Sequence, residues 1–448
     1  MKKQCTVGFI TTLSGRWPRE LPEKRLAQYG AWLKKNLPDV RLVQYEQVAV
    51  NAANVEEAIS LFRSAGVDVV IQLHGAFTGD DVCCAIADEL RVPLILWGPY
   101  EPPFDRDARL FANALVSITM NAAALRRNGH ICHYLYGDKE DARVQEKLLR
   151  LIRAFGVVRG LRGALLGMFG YRPTAFYNCA FDESLIRRTF GVRMEETGLK
   201  VVFDRMEQLP LHEVEADMQK ISRAYDPSAL PDQHLANHSK LYLAIKQVIA
   251  EQGYDFTTLK CWPEMGNLKT TPCAVIGRLA DEGVHIICEG DVDAALTLMV
   301  QNYLTGQPGF IADMINMDET ENTLTYWHCG QAPFSLLDES DGVSINNHPL
   351  AGQGTAIYGS LRQGPVTVAR FCNIGGVYKL FLVRGEAVST HRNTKGAMVN
   401  VKVAPPVRSI LDQIIGEGVP HHYSLVWRDV ADDMIAVAGL LGIEVLEL

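Results

Sequence analysis

The chain has 448 residues, of which 48% are hydrophobic and 21% are charged, and its formal net charge is −8. A chain of this length is too long to fold around a single hydrophobic core, so we predict roughly two to four domains. The composition is that of an ordinary globular protein. The negative charge argues against nucleic acid and an anionic membrane surface as partners. The first apolar stretch, residues 5–10, is too short for a signal peptide or a membrane helix, which predicts a cytoplasmic protein.

The first third of the chain alternates between apolar strand patterns and amphipathic helix patterns. Strands are predicted at residues 6–11, 41–50, 67–73 and 92–97. Helices are predicted at residues 26–37, from Asn54 to Gly66, and at 80–90. Strands without polar alternation are typical of a parallel sheet that is covered on both faces. We therefore predict an N-terminal α/β domain over residues 1–157.

The same alternation begins again near Val158 and predicts a second α/β domain over residues 158–309. Strands are expected at residues 163–169, 199–203, 259–261 and 284–288, and helices at 183–190, 211–224, 238–252 and from Val292 onwards. From Phe310 the pattern changes to short strands with Gly-rich connections, at 356–361, 366–371, 378–383 and 398–403. The predicted fold class is therefore α/β, with two Rossmann-like parallel-sheet domains followed by a β-rich, barrel-like α+β domain over residues 310–448.

Local motifs exclude several kinds of site. The ten cysteines show no CxxC spacing, so we expect reduced and mostly buried thiols rather than a structural zinc site. The sequence lacks GxGxxG, a P-loop and GxSxG. It therefore predicts neither a Rossmann dinucleotide site, nor a P-loop nucleotide site, nor a hydrolase nucleophile.

Glu289 is the strongest candidate for a functional residue. It ends the apolar run 284–288, directly before a helix, which places it at the carboxyl edge of a sheet, where open α/β folds bind ligands. Asp291 can cap that helix, which leaves Glu289 without a structural role. A buried carboxylate needs a cation as its partner, because burying it unpaired costs several kcal/mol. Asp313 follows the next apolar turn and has the same property, although loop aspartates also cap turns.

Histidines further along the chain complete a candidate metal site. His328 lies between Trp327 and Cys329, where a satisfied core histidine is the competing interpretation. His421 and His422 begin a predicted strand, so alternation should point their rings to opposite faces, with at most one in a given site unless the backbone bulges. An exposed pair at the start of a strand is the competing interpretation. Two carboxylates with histidines are the ligands that a divalent metal in Lewis-acid catalysis uses.

These residues, in this order and on this architecture, resemble the L-fucose isomerase / L-arabinose isomerase superfamily over most of the chain. The similar segments are Cys288-Glu289-Gly290-Asp291 with its helix, the strand that bears Asp313, and Pro420-His421-His422-Tyr423 with the helix that follows. The resemblance implies Mn²⁺, or another divalent cation such as Mg²⁺ or Co²⁺. Its ligands would be Glu289, Asp313 and His422, with His328 and His421 as further candidates. It also implies aldose–ketose isomerisation through a cis-enediol, with Glu289 or Asp313 moving the proton, in a homo-trimer or homo-hexamer.

Substrate contacts are expected from two regions. The resemblance implies that loops of the first domain reach a neighbouring subunit's site, which makes Arg16, His74 and Trp97 candidates, and the Trp97 ring could stack on a sugar. Trp262 and Glu264 follow another predicted strand at the same edge. The sugar itself stays open. For a modified or anionic sugar, the candidates for the anion contact are the arginines Arg16, Arg19 and Arg392.

Two other functions compete with the isomerase. A metal-dependent epimerase or lyase would use the same metal and enediolate but yield a different product. A non-catalytic sugar-binding protein would share the two α/β domains but would not need two acids and a histidine around a metal. The partner expected in every case is a small sugar, without nucleic acid or membrane.

Overall fold

The computed structural model describes residues 5–104, 106, 109–225, 227–228 and 230–447. The chain divides into two units, Met1–Arg159 and Gly160–Leu448. The predicted boundary at residues 157/158 lies close to this division. The second and third predicted domains fall within the second unit, so the boundary at 309/310 stays a prediction.

The first unit is a parallel sheet with helices between its strands. Its strands run in the order β2-β1-β3-β4-β5, and every neighbouring pair is parallel. The central strands are buried along their whole length, as the uninterrupted apolar runs predicted. The strands are β1 (Thr6–Thr12), β2 (Arg41–Ala49), β3 (Val69–His74), β4 (Leu94–Gly98) and β5 (Cys132–Tyr136). The helices are α1 (Glu20–Asn36), α2 (Ala52–Ala65), α3 (Asp80–Leu90), α4 (Ala114–Arg127) and α5 (Ala142–Leu161).

Two helices of this unit start earlier than predicted, α1 at Glu20 instead of residue 26 and α2 at Ala52 instead of Asn54. The side chain of Asn51, not Asn54, caps α2 by accepting a hydrogen bond from the Asn54 backbone N–H. Gly66 ends the helix with a left-handed φ of 64°, as expected.

The second unit begins with a four-stranded parallel sheet in the order β7-β6-β8-β9. Its strands are β6 (Leu165–Phe169), β7 (Arg193–Thr197), β8 (Phe256–Leu259) and β9 (Ile286–Cys288). Its helices are α6 (Glu183–Phe190), α7 (Leu199–Gln208), α8 (Leu211–Ala224), α9 (Asp232–Gln252), α10 (Glu264–Asn267), α11 (Cys273–Asp281) and α12 (Val292–Thr305), with a 3₁₀ turn at Tyr177–Cys179. The strand predicted at 199–203 is wrong. That segment is the first half of α7, because its buried residues Leu199, Val202 and Met206 recur every three or four positions.

The rest of this unit is built around a β-barrel. The strands are β10 (Phe310–Asp318), β11 (Thr323–His328), β12 (Ser344–Asn346), β13 (Ala356–Ser360), β14 (Gly364–Ile374), β15 (Val377–Val388), β16 (Ala397–Val403), β17 (His422–Val426) and β18 (Glu444–Glu447). Two helices, α13 (Val407–Glu417) and α14 (Ala431–Leu441), and two 3₁₀ turns, Phe334–Leu336 and Glu339–Asp341, join them. Gly418 caps the C-terminus of α13 with a left-handed φ of 75°.

The barrel closes because β15 pairs with β16 in addition to its pairing with β14. The ring runs β16-β11-β10-β17-β14-β15 and returns to β16, so six strands close on themselves. A continuous apolar core fills it, and Phe381, Tyr326 and Tyr423 are among its buried members. The predicted fold class, with two parallel α/β sheets and a C-terminal barrel, is confirmed. Among the described residues, no helix is long and apolar enough to cross a membrane. A cytoplasmic location stays a prediction.

Candidate metal and active site

Glu289 lies on the sharp turn between β9 and α12. Its φ is +62°, in the left-handed region that costs a non-glycine residue about 1 kcal/mol or more. Gly290 follows with φ +65°, and a Cβ there would lie 2.4 Å from the Tyr171 carbonyl oxygen, so only glycine fits. Asp291 then caps α12 by accepting from the Ala294 N–H at 2.9 Å. The turn therefore holds Glu289 in a strained conformation. Its position at the carboxyl edge of the sheet is the one that the sequence predicted.

Two acids and two histidines converge at this point. Glu289 Oε2 lies 3.6 Å from His421 Nε2 and 3.3 Å from His422 Nε2. Asp313 Oδ1 lies 3.8 Å and 3.7 Å from the same two nitrogens. Asp313 is on β10 and pairs in register with His422 on β17. Residues that are about 130 positions apart in the chain thus form one cluster of ligand-type atoms.

The predicted orientation of the histidine pair is wrong. The two imidazole rings lie 3.9 Å apart, 32° from parallel, and both face the acids. β17 begins at His422, so His421 lies outside the strand and the alternation of side chains does not apply to it. The Asn178 side-chain amide lies 2.6 Å from His421 Nδ1 and holds this ring from behind.

Asp291 orients His422. Its Oδ2 lies 2.8 Å from His422 Nδ1, and the buried Arg370 guanidinium donates to the same oxygen at 2.8 Å. Although burial opposes ionisation, Arg370 and His422 outweigh it and hold the pKa of Asp291 below its usual range. Asp291 is therefore a carboxylate that accepts the Nδ1–H of His422. This points Nε2 at Glu289 and Asp313, where it offers a lone pair once the ring is neutral. Metal-binding histidines commonly have such a partner.

His328 is arranged differently. Its ring lies 5.9 Å from that of His422, but its Nδ1 accepts the backbone N–H of Cys329 at 2.9 Å. A neutral ring that accepts at Nδ1 carries its proton on Nε2. His328 is therefore close to the cluster, but in this tautomer its Nε2 carries a proton and cannot bind a metal. Its role as a ligand stays a prediction.

Electrostatics keep the cluster charged. Burial would raise the pKa of Glu289, but hydrogen bonding from His421 and His422 lowers it well below the usual value. Burial would lower the pKa of His422, but Asp291 and Glu289 raise it to about 10. Asp313 Oδ1 is buried and has no hydrogen-bond partner among the described residues. An oxygen left without a partner beside two imidazole nitrogens fits a divalent cation with mixed oxygen and nitrogen ligands.

Aromatic residues flank the cluster on one side. The Phe176 ring lies 6.0 Å from the His421 ring and 5.7 Å from the Trp262 ring, and Trp262 is 42% exposed. Trp262 is therefore placed where a sugar could stack. Glu264, also predicted to contact substrate, is paired with Lys260 at 2.5 Å. Whether either residue binds substrate stays a prediction.

The three candidates from the first unit have different surroundings. The predicted stacking of Trp97 on a sugar is wrong, because its ring is fully buried and its indole N–H donates to the Gly137 carbonyl. His74 is also fully buried, with Nδ1 3.0 Å from the Ser117 hydroxyl, and burial lowers its pKa to about 3. It has no exposed surface for a substrate. Arg16 is exposed, so its role stays open.

Sequence reasoning missed three residues of the cluster's surroundings. Asn178 and Phe176 come from a loop without a motif, and no signal marked them. Arg370 had a signal, because it interrupts the apolar run Val366–Phe371, and a charge in a buried strand requires a partner. Asp291 was predicted as a helix cap, but its bond to His422 was not predicted.

Comparison with known proteins relates the chain to sugar isomerases. It is 28% identical over 392 residues to sulfoquinovose isomerase of Alkalicoccus urumqiensis, covering 86% of this chain and 87% of that protein. It is 25% identical over 415 residues to sulfoquinovose isomerase of Priestia megaterium, with 92% of each chain covered. L-arabinose isomerase 1 of Bacillus licheniformis is 24% identical over 218 residues, which is 46% of this chain and 43% of that protein. No protein-family profile matches.

These relatives support the resemblance to isomerases of the L-fucose and L-arabinose type, and they confirm the predicted activity class. The chain is an isomerase.

Proposed function

We propose that this isomerase interconverts an aldose and a ketose through a cis-enediol. We further propose that it uses a divalent metal, preferably Mn²⁺, bound by Glu289, Asp313 and His422. One observation carries the proposal: both carboxylates approach His422 Nε2 within 3.3 and 3.7 Å. His421 Nε2 lies 3.6 Å from Glu289 and is the further candidate ligand. To bind a metal through Nε2 it needs its proton on Nδ1, so the Asn178 side chain would have to present its oxygen rather than its amide nitrogen to that atom. Carboxylate oxygens with one or two imidazoles suit Mn²⁺, and Mg²⁺ or Co²⁺ are the alternatives.

The metal, when bound, would polarise the sugar carbonyl and hold neighbouring sugar oxygens. The chain's own residues do the rest. Glu289 stays ionised at neutral pH because two imidazoles oppose its protonation. Asp313 keeps one oxygen without a protein partner. Either carboxylate can take the proton from C2 of the aldose and return it to C1, while the proton of the C2 hydroxyl passes to the C1 oxygen. Asp291 and Arg370 fix His422 so that this geometry does not relax.

We propose that the substrate is an anionic aldose of the sulfoquinovose type. The support is that relatives aligned over most of both chains carry that name, at 28% and 25% identity. Sulfoquinovose is a glucose-like aldose whose sixth carbon bears a sulfonate. L-arabinose and L-fucose are the alternatives. We also propose a homo-trimer or homo-hexamer, on the resemblance stated above, which light scattering after size exclusion would test.

The test combines metal content with turnover. The protein is stripped with EDTA, reloaded with Mn²⁺, and assayed for ketose formation from sulfoquinovose, L-arabinose and L-fucose. We expect stoichiometric Mn²⁺ and turnover in the wild type, with turnover lost in Glu289→Gln and Asp313→Asn. Glu251→Gln is the matched control, because Glu251 pairs with Arg205 at the surface. A wild type that turns over without metal would contradict the metal site, and a product other than the ketose would replace the isomerisation with epimerisation or lysis.

A further inference from the structure

We infer that Arg172 is the residue that binds the anionic group of the substrate, a sulfonate at the end of the sugar chain that lies away from the metal ligands. This inference rests on the proposed function. Arg172 follows β6 on the turn Gly170–Pro173. A Cβ placed on Gly290 would lie 3.0 Å from the Arg172 Cα, so this backbone packs directly against the turn that carries Glu289. The arginine is therefore anchored beside the acid cluster.

The Arg172 guanidinium is held by aromatic rings rather than by an acid. Its Cζ lies 5.3 Å from the ring centroid of Tyr171 and 5.3 Å from that of Tyr177, distances typical of cation–π contacts. Tyr177 adjoins Asn178, the residue that contacts His421. The two tyrosines contact the guanidinium but, unlike a carboxylate, do not neutralise its charge.

Part of the hydrogen-bonding capacity of this guanidinium is unused within the described residues. Nε is buried and has no partner among the described residues, and Nη1 makes only a 3.5 Å contact with the Pro173 carbonyl. Within the described part of the chain, Arg172 forms no ion pair with a carboxylate. Arg205, Arg278 and Arg370 in the same unit all have one, with Glu251, Asp217 and Asp291. A buried donor without an acceptor costs free energy, so Arg172 is prepared for an acceptor from outside the chain.

A tetrahedral oxyanion meets these requirements. A guanidinium donates two parallel hydrogen bonds to such a group, which is always charged in the case of a sulfonate. When C1 and C2 lie at the acids, C6 of an extended six-carbon sugar lies about 6 Å from C1. The two carbons are separated by five C–C bonds of about 1.5 Å, and the zigzag of the chain shortens the direct distance. An arginine anchored at the neighbouring turn reaches that far. A phosphate ester has the same shape and charge, and the experiment separates the two.

The experiment compares charged and neutral sugars on the Mn²⁺-loaded enzyme. Turnover is measured with sulfoquinovose, glucose 6-phosphate and 6-deoxy-D-glucose, which differ only at C6. For Arg172→Gln we expect kcat/KM for sulfoquinovose to fall about 10- to 100-fold, mainly through KM, with 6-deoxy-D-glucose unaffected. Arg172→Lys should keep part of the preference. Arg205→Gln is the matched control. A preference for the phosphate would keep Arg172 as an oxyanion site and change the substrate.

Binding measured by calorimetry separates this inference from the proposed function. If the wild type isomerises no sugar, the proposed function fails. The role of Arg172 in binding the anionic group is then still tested by the affinities for the two sugars. Tighter binding of sulfoquinovose than of 6-deoxy-D-glucose, lost in Arg172→Gln, supports the inference. It is overturned if the wild type binds both sugars equally, if Arg172→Gln binds sulfoquinovose as tightly as the wild type, or if the loss appears in Arg392→Gln or Arg16→Gln instead.

Discussion

Asp313 and His422 face each other directly across the antiparallel pair β10–β17, with Asp313 Oδ1 3.7 Å from His422 Nε2. Side chains at opposed positions of such a pair share one face of the sheet. A slip of one residue would move one of the two to the other face and separate them. The barrel's register therefore sets the spacing of the proposed ligands, and β10 and β17 form the frame of the site.

Replacing Asp291 by asparagine should weaken the metal site without removing a ligand. The amide still caps α12, but it no longer binds His422 and Arg370 as an anion. We expect Mn²⁺ affinity to fall about 10- to 100-fold, as is typical when the partner of a metal-bound histidine is lost. Titration of the stripped protein with Mn²⁺ measures this. Asp182→Asn is a suitable control, because Asp182 caps a different helix, α6, by accepting from the Leu185 N–H. Equal affinities of wild type and Asp291→Asn would contradict the role of Asp291.

The stability of the metal-free protein should fall as pH rises towards 10. The pKa of His422 is raised to about 10 in the folded state, against about 6.5 in the unfolded chain. A raised pKa means that the folded state binds this proton more tightly. The stabilisation is complete below pH 6.5 and is lost as pH rises through about 10. Denaturant unfolding at several pH values measures the slope, which should be shallower in His422→Gln. An identical slope in the variant would sink this assignment.

Metal binding near neutral pH should release about one proton, because His422 must be neutral to bind a metal. Calorimetry with Mn²⁺ in buffers of different ionisation enthalpy measures the number of protons released. Binding without proton release would show that His422 is already neutral or is not a ligand. The affinity should accordingly rise from pH 6 to pH 8.

Substituting Gly290 by alanine should disturb both the fold and the site. The new Cβ would lie 2.4 Å from the Tyr171 carbonyl oxygen, and the φ of +65° would strain it as well. We expect a loss of roughly 1–3 kcal/mol in the free energy of unfolding and reduced turnover, because the turns with Glu289 and Arg172 must separate. Gly283→Ala isolates the strain, since Gly283 has φ +78° and open space around its Cβ position. A similar effect of both substitutions on stability and turnover would argue against the steric contact.

The two tryptophans that the sequence proposed as sugar contacts should behave oppositely. Trp97 is fully buried and packs edge-on against Tyr29, so Trp97→Ala should cost about 3–5 kcal/mol of stability. Trp262 is 42% exposed, so Trp262→Ala should cost less stability than Trp97→Ala and should raise KM if the ring contacts the sugar. Chemical denaturation and steady-state kinetics on both variants test this. A stable Trp97→Ala with altered KM would reverse the assignment.

Local patterns predicted the elements that carry the site better than the contacts between them. The apolar run before Glu289 and the cap at Asp291 were visible because both features are local. The barrel is closed by the pairing of β15 with β16, and no local sequence pattern indicates which strands pair or in which register. The same holds for Asp291 with His422, which are 131 residues apart.

The residues that were predicted wrongly show the conditions under which sequence patterns mislead. Alternation misplaced His421 because it lies one residue before its strand, where backbone geometry differs. The strand predicted at 199–203 is apolar enough for either structure, and the helical spacing appears only when Met206 is included. Trp97 lies one residue before the end of β4, close to the predicted strand end, but a neighbouring Tyr29 on α1 packs against its ring.

Asp291 also constrains how this sequence can diverge. Serine, threonine, asparagine and aspartate all start helices well, so most capping positions exchange freely among them over evolutionary time. At this position one carboxylate oxygen serves the helix and the other serves His422 and Arg370, and only aspartate does both. A homologue that keeps the helix but carries another capping residue here would therefore keep the fold while losing the support of the proposed catalytic centre.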